Sequence, residues 1–223
     1  MIGLLSDSHG DLDAFDRAYR LLKERGARRF FFAGGRYGDL DEWVIWRNKQ
    51  ATSGTDYTDH DFLADVSSFL SGEEQVERPP AFGLDPTEGD PEMTKVKERF
   101  VRTPEQDSPQ YGSPGIEVKA MDMLGDVLCT LIHDKNDLTR DDLLNAMVFI
   151  HGKERQPKVV QIGPRYFVTP GMLTGAPEQT CALIEVPERE KVLRFSAFTL
   201  EGRTVIDQQP LALGGGKTKI SVK

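Results

Sequence analysis

Histidine and cysteine are scarce in this chain of 223 residues, which holds four of the former and two of the latter. Cys129 and Cys181 each sit inside an apolar run, where a buried free thiol is the ordinary reading; a disulfide framework or cysteine-rich metal site is not expected. Basic residues are in deficit, with 28 Lys and Arg against 36 Asp and Glu and a formal net charge of -8. Recognition of a nucleic-acid backbone depends on clustered Lys and Arg, so nucleic acid is not the expected partner. Long hydrophobic runs are missing as well. No stretch approaches the ~20 apolar residues that cross a bilayer, and the chain opens as a strand rather than as a basic, apolar signal. The expected location is the cytoplasm, without a membrane partner.

What is present suits one soluble domain, expected over residues 1–205, with a tail over 206–223. A strand over residues 2–6 runs into Asp7-Ser8-His9-Gly10-Asp11. A carboxylate and an imidazole two residues apart at a strand's carboxyl end can reach the same metal ion. Asp11 then caps a helix whose apolar residues Leu12, Phe15, Ala18, Tyr19 and Leu22 recur at helical spacing, and Gly26 ends it. Residues 29–33 read as a buried strand, followed by the glycine-rich stretch Gly34-Gly35-Arg36-Tyr37-Gly38-Asp39. The resulting β-α-β unit makes the two strands parallel and gathers Asp7, His9 and the glycine loop on one rim.

Farther along, the spacing predicts a helix over 39–50 and a second amphipathic helix capped by Thr58, with Phe62, Leu63, Val66, Phe69 and Leu70 on one side. Residues 72–115 form a polar excursion rich in Pro, Glu and Asp, with a short helix over 93–100. Strands over 116–124 and 126–132 flank a tight Gly125-Asp126 turn, and the second runs into His133-Asp134. Thr139 caps a helix to about 147, with Asp142 at the reciprocal position. A strand over 148–151 closes at Gly152, and strands follow over 159–162, 166–168, 180–186 and 192–198. The carboxyl half is expected to be mostly antiparallel.

This order of motifs resembles the calcineurin-like metallophosphoesterases, particularly the small branch of bacterial phosphodiesterases and the retromer's metallophosphoesterase-like subunit. The resemblance covers about 1–45 and 116–200. It implies an α/β fold, a four-layer α/β/β/α sandwich of two mixed sheets flanked by helices. Asp7 and His9 match the family's opening Asp-x-His, and His133 matches its lone strand-end histidine. The segment 168–172 is similar to the family's Asn-Pro-Gly-Ser turn, with Thr169 in place of the asparagine.

Other positions depart from the family. Its Gly-Asp, whose carboxylate bridges two metals, corresponds to Gly34-Gly35; a shifted register would use Gly38-Asp39. The stretch 99–105 has neither the asparagine nor the histidine of Gly-Asn-His. The family's Gly-His-x-His corresponds to Gly152-Lys153-Glu154-Arg155, with both histidines replaced by cations.

Two-metal phosphoester hydrolysis needs a bridging ligand and enough neutral or anionic donors for both ions. His60 is expected in the first turn of a helix and solvated, which leaves His9, His133 and His151. His151 directly precedes Gly152, and a shift of one residue on a strand reverses a side chain's direction. The residues therefore allow no metal, or one weakly held divalent ion such as Mn²⁺ on Asp7, His9, His133 and Asp39. Lys153 and Arg155 repel a divalent cation; with Arg36 they form either an anion pocket or an ordinary solvated turn. The stretch Gly214-Gly215-Gly216-Lys217-Thr218 fails as a phosphate loop because Leu211 occupies the first glycine position.

The expected function is a pseudoenzyme: a non-catalytic protein of this fold that binds or scaffolds another protein. The alternative is a metal-dependent phosphoesterase with a mononuclear site, in which His133 or His151 assists a metal-activated water on a phosphoester substrate.

Overall fold

The computed structural model describes residues 1–52, 95–187 and 192–213. The helix expected after Thr58, His60 within it, most of the excursion and the segment 214–218 lie outside the described residues. In chain order the elements are β1 (Ile2–Leu5), α1 (Leu12–Glu24), β2 (Arg29–Ala33), α2 (Asp39–Thr52), β3 (Phe100–Thr103), β4 (Lys119–Leu124) and β5 (Val127–Ile132). A 3₁₀ turn (Lys135–Asp137), α3 (Arg140–Asn145), β6 (Val148–His151), β7 (Lys158–Ile162), β8 (Arg165–Thr169), β9 (Thr180–Glu185), β10 (Val192–Thr199) and β11 (Thr204–Ala212) complete them. No helix among the described residues is long and apolar enough to cross a membrane.

The strands form two mixed sheets, one ordered β11-β10-β9-β1-β2-β3 and the other β4-β5-β6-β8-β7. Alternation along the strands divides the core into two layers. From β1 and β2, Leu5, Phe30 and Phe32 face α1 and α2, while Ile2, Leu4, Phe31 and Ala33 face the second sheet. There they meet Cys129, Leu131, Val148, Ile150 and Val168. On the second sheet's outer side Phe149 stacks on Phe167, with centroids 4.9 Å apart.

Local chemistry explains the helices. The Asp11 carboxylate accepts the Ala14 N–H at 2.9 Å, and Gly26, at φ +95°, ends α1 where a side chain would be strained. Thr139 and Asp142 form a reciprocal capping box on α3. The helical layer is aromatic: Tyr19 lies 4.8 Å from Trp43, and Phe30 stacks on Phe100 at 4.9 Å. The buried Trp43 indole donates to Asp16 at 3.0 Å, and Arg20 and Arg47 neutralise that carboxylate.

Two expectations need correction. The excursion ends earlier than residue 115, because β3 pairs in parallel with β2 as the edge of the first sheet; Phe100 supplies the burial that a polar composition count concealed. The tail does not begin at 206, because β11 pairs with β10 as far as Ala212. The carboxyl half is mostly antiparallel as expected, in β4-β5, β7-β8, β9-β10 and β10-β11, while β5, β6 and β8 run parallel at its centre. The 3₁₀ turn and α3 supply the crossover that parallel β5 and β6 require, so residues 127–151 are a second βαβ unit.

Candidate functional site

The carboxyl ends of β1, β2, β5 and β6 converge, and each delivers a short segment to one rim. Asp7 follows β1 and is buried. His133 follows β5 and continues the alternation of Cys129 and Leu131, so it points between the sheets toward Asp7. Its Nε2 lies 2.9 Å from Asp7 Oδ1. The Lys153 backbone N–H, following β6, donates to Asp7 Oδ2 at 2.8 Å. His9, with 44% of its side chain exposed, stands with Nε2 3.8 Å from Asp7 Oδ1 and Nδ1 3.6 Å from Glu105.

Burial pushes the Asp7 carboxyl up, but the bond and charge of His133, the Lys153 N–H and the Ser6 side chain outweigh it and hold the pKa below its ordinary value. An ionised Asp7 carboxylate acts toward these partners only as an acceptor. His133 Nδ1 is buried without a hydrogen-bond partner.

The backbone here is strained. Four non-glycine residues among those described have positive φ, and three stand on this rim: Asp7 (52°), His9 (45°) and Lys153 (61°). The glycines permit the close approach. A Cβ on Gly34 would collide with the His133 ring, and one on Gly152 would lie 2.9 Å from Asp7 Oδ2. On Gly35 it would lie 2.8 Å from the Ser8 backbone nitrogen.

Asp39 is buried at the start of α2, with Oδ2 accepting from the Ser8 hydroxyl at 2.6 Å and from the Gly10 N–H at 2.8 Å. Its Oδ1 has no hydrogen-bond partner, and Arg36 Nε approaches it at 4.0 Å. Asp39 thus joins the turn after β1 through Ser8 and Gly10, and makes no bond to Asp7, His9 or His133. His151 parts from the site as well. Val148 and Ile150 face the inter-sheet core, so His151 shares the outer face with Phe149. Its buried ring hydrogen-bonds the Gly152 carbonyl through Nδ1 at 2.9 Å and lines a cleft with Asp134, Lys135, Lys153 and Glu154. Burial lowers its pKa.

The three cations do not converge on one ligand position. Arg36 pairs with Asp39 and with Glu42 at 3.6 Å, and Lys153 Nζ binds Asp134 at 2.6 Å. Arg155 is exposed on the turn before β7. Burial raises the Asp134 carboxyl, yet the Lys153 ammonium and the Asn136 N–H hold it below the ordinary value.

Sequence reasoning did not find Ser8, Glu105 or Asp134 as members of this rim. Asp134 follows His133 directly, but nothing in one dimension links it to Lys153. Glu105 stands in the stretch that corresponds to Gly-Asn-His and differs from that motif in residue type.

A two-metal centre does not fit these residues. Gly35 stands at one candidate position for a bridging carboxylate and Asp39, the other, bonds Ser8 and Gly10, while the turn after β6 offers Lys153 and Arg155 for two histidines. Among the described residues no group of three or more His, Cys, Asp or Glu side chains is arranged to hold an ion.

No family model matches the chain. No curated protein sequence matches it significantly either. Solved structures do match across nearly the full length. Vps29 of Chaetomium thermophilum aligns with a TM-score of 0.55 at 13% identity, over 99% of this chain and 98% of its own. Yfce, a phosphoesterase from E. coli, aligns at 0.51 and 14%, over 96% and 99%. A predicted phosphoesterase from Streptococcus pneumoniae aligns at 0.52 and 14%, over 91% of each chain. The chain is similar to these in fold, and the fold is that of the calcineurin-like metallophosphoesterases.

Proposed function

We propose that this chain, built on the metallophosphoesterase fold, is a non-catalytic protein that binds or scaffolds another protein in the cytoplasm. One observation carries the non-catalytic part: Gly35 stands after β2 where a bridging carboxylate is required, and a Cβ there would lie 2.8 Å from the Ser8 backbone nitrogen. Lys153 and Arg155 support it, since cations there oppose a second divalent ion. The binding part is supported by the second sheet's outer side, where Met121, Met123, Val160 and Ile162 stand exposed, as apolar contact surfaces do. The fold alone is neutral on this point, since it is shared by a named phosphoesterase and by Vps29.

The test is metal analysis of the purified protein, together with hydrolysis of a generic phosphodiester in excess Mn²⁺. Substoichiometric metal and no turnover are expected. Stoichiometric metal with turnover abolished in Asp7→Ala overturns the proposal.

The second reading is a metal-dependent phosphoesterase with one ion on Asp7, His9 and His133. It is supported by the exposed His9 imidazole beside Asp7, with the Glu105 carboxylate 3.6 Å from its other nitrogen. The same assay separates the two.

A further inference from the structure

We infer that Asp7 is an inter-sheet clasp, a buried carboxylate that joins the two sheets without a metal by taking one hydrogen bond from each of two strand ends. The inference rests on the non-catalytic reading above and gives the surviving motif residues a present use.

Asp7 belongs to the first sheet. Its N–H donates to the Gly34 carbonyl after β2 at 2.8 Å, and its carbonyl accepts from the Thr174 N–H at 3.1 Å and the Thr174 hydroxyl at 2.9 Å. Its carboxylate belongs in effect to the second sheet, taking His133 Nε2 after β5 on Oδ1 and the Lys153 N–H after β6 on Oδ2. In a metal centre the imidazole nitrogen and the carboxylate oxygens would turn their lone pairs toward a cation. Here Nε2 stands at hydrogen-bond distance from Oδ1, 2.9 Å away.

The surroundings hold this closure in place. Gly34 and Gly152 lack the side chains that would force the three segments apart. The positive φ of Lys153, costly for a residue with a Cβ, accompanies an N–H aimed at Asp7. The Lys153 ammonium is held by Asp134 Oδ2, and Asp134 Oδ1 accepts the Asn136 N–H at 2.9 Å at the start of the 3₁₀ turn. The segments after β5 and β6 are therefore tied to each other as well as to Asp7. A buried carboxylate satisfied by two donors is costly to strip of either one.

Thermal unfolding of the full chain, with EDTA and with millimolar Mn²⁺ or Zn²⁺, tests the clasp alongside Asp7→Asn and His133→Gln. The wild-type midpoint is expected to be the same with EDTA and with metal. Each single variant should lower it by several degrees, and the double variant by less than the sum, as contacting groups do. Hydrogen exchange in EDTA gives a readout that needs no variant: the Lys153 amide should exchange on the order of 100-fold slower than a free peptide although its side chain is exposed. A wild-type midpoint raised by metal but not in Asp7→Asn overturns the clasp, as does a Lys153 amide exchanging at the free rate. Metal-dependent stabilisation without phosphodiester turnover sinks the clasp alone; turnover sinks the non-catalytic reading with it.

Discussion

The His133 imidazole lies against Gly34 so closely that a Cβ on that glycine would stand 2.9 Å from Nε2 and nearer still to the ring carbons. Gly34 also has a φ of +81°, so any replacement meets strain as well as collision. Gly34→Ala should therefore destabilise the protein by more than about 2 kcal/mol in urea unfolding, well beyond an ordinary surface change. An unchanged midpoint would mean that His133 moves aside without penalty.

Restoring a carboxylate should not restore a metal centre. Gly35→Asp puts a Cβ 2.8 Å from the Ser8 backbone nitrogen at a φ of +110°, so the expected product is a destabilised protein without stoichiometric metal. Calorimetric titration with Mn²⁺ checks this; tight one-to-one binding by a stable variant would show that the loop has room to rearrange.

The two thiols should be inert until the fold opens. Burial, with a smaller push from the Asp122 charge, raises Cys129 to about 12, and burial raises Cys181 to about 12. The nucleophile is the thiolate, of which almost none exists at pH 8. Labelling with a disulfide reagent should thus wait for urea unfolding, then consume both cysteines together. Fast labelling of either one in the native protein would contradict its burial.

Acid should weaken the α3 cap. Burial pushes the Asp142 carboxyl up, but the Lys119 ammonium at 2.6 Å and the Thr139 hydroxyl and N–H outweigh it and hold the pKa below its ordinary 3.8. A depressed folded-state value means that the stabilisation is fully present above the unfolded value and is lost as the pH falls through the folded one. Urea midpoints measured from pH 6 downward should decline below about pH 4, and Asp142→Asn should flatten that part of the decline. An unaltered profile in the variant would assign the acid sensitivity to other carboxylates.

The aromatic layer under α1 and α2 should hold the first sheet's edge. Phe30 is fully buried and touches both Tyr19 and Phe100, so Phe30→Ala should cost about 3–5 kcal/mol in chemical unfolding. Trp43 fluorescence should report the same transition, since its ring packs on Tyr19.

Much of this fold was legible in one dimension, because its elements announce themselves by short-range chemistry. Asp11 and Gly26 bound α1, Thr139 and Asp142 cap α3, and the Gly125-Asp126 turn joins β4 to β5 as read. β3 was concealed because four residues carry no usable periodicity and lie beside a polar stretch. β11 was concealed because its burial alternates weakly on a largely exposed edge.

The candidate site divides in the same way. Asp7, His9 and His133 stand after strands legible in one dimension, and strand alternation turns His151 to the outer face beside Phe149. Asp39 could not be assigned, because whether a side chain four residues beyond Gly35 reaches Asp7 or Ser8 depends on how the loop coils.

What the sequence determined by itself is the order of elements and the residue types at each strand end, since caps, glycines and apolar periodicity act over a few residues. Only the tertiary structure decided what those residues do together. Whether Asp7 faces a cation, His133 or a backbone N–H is fixed by the approach of two sheets whose contacting segments are 126 and 146 residues away along the chain. That approach is governed by close packing against Gly34 and Gly152, a steric fact with no signature in linear spacing.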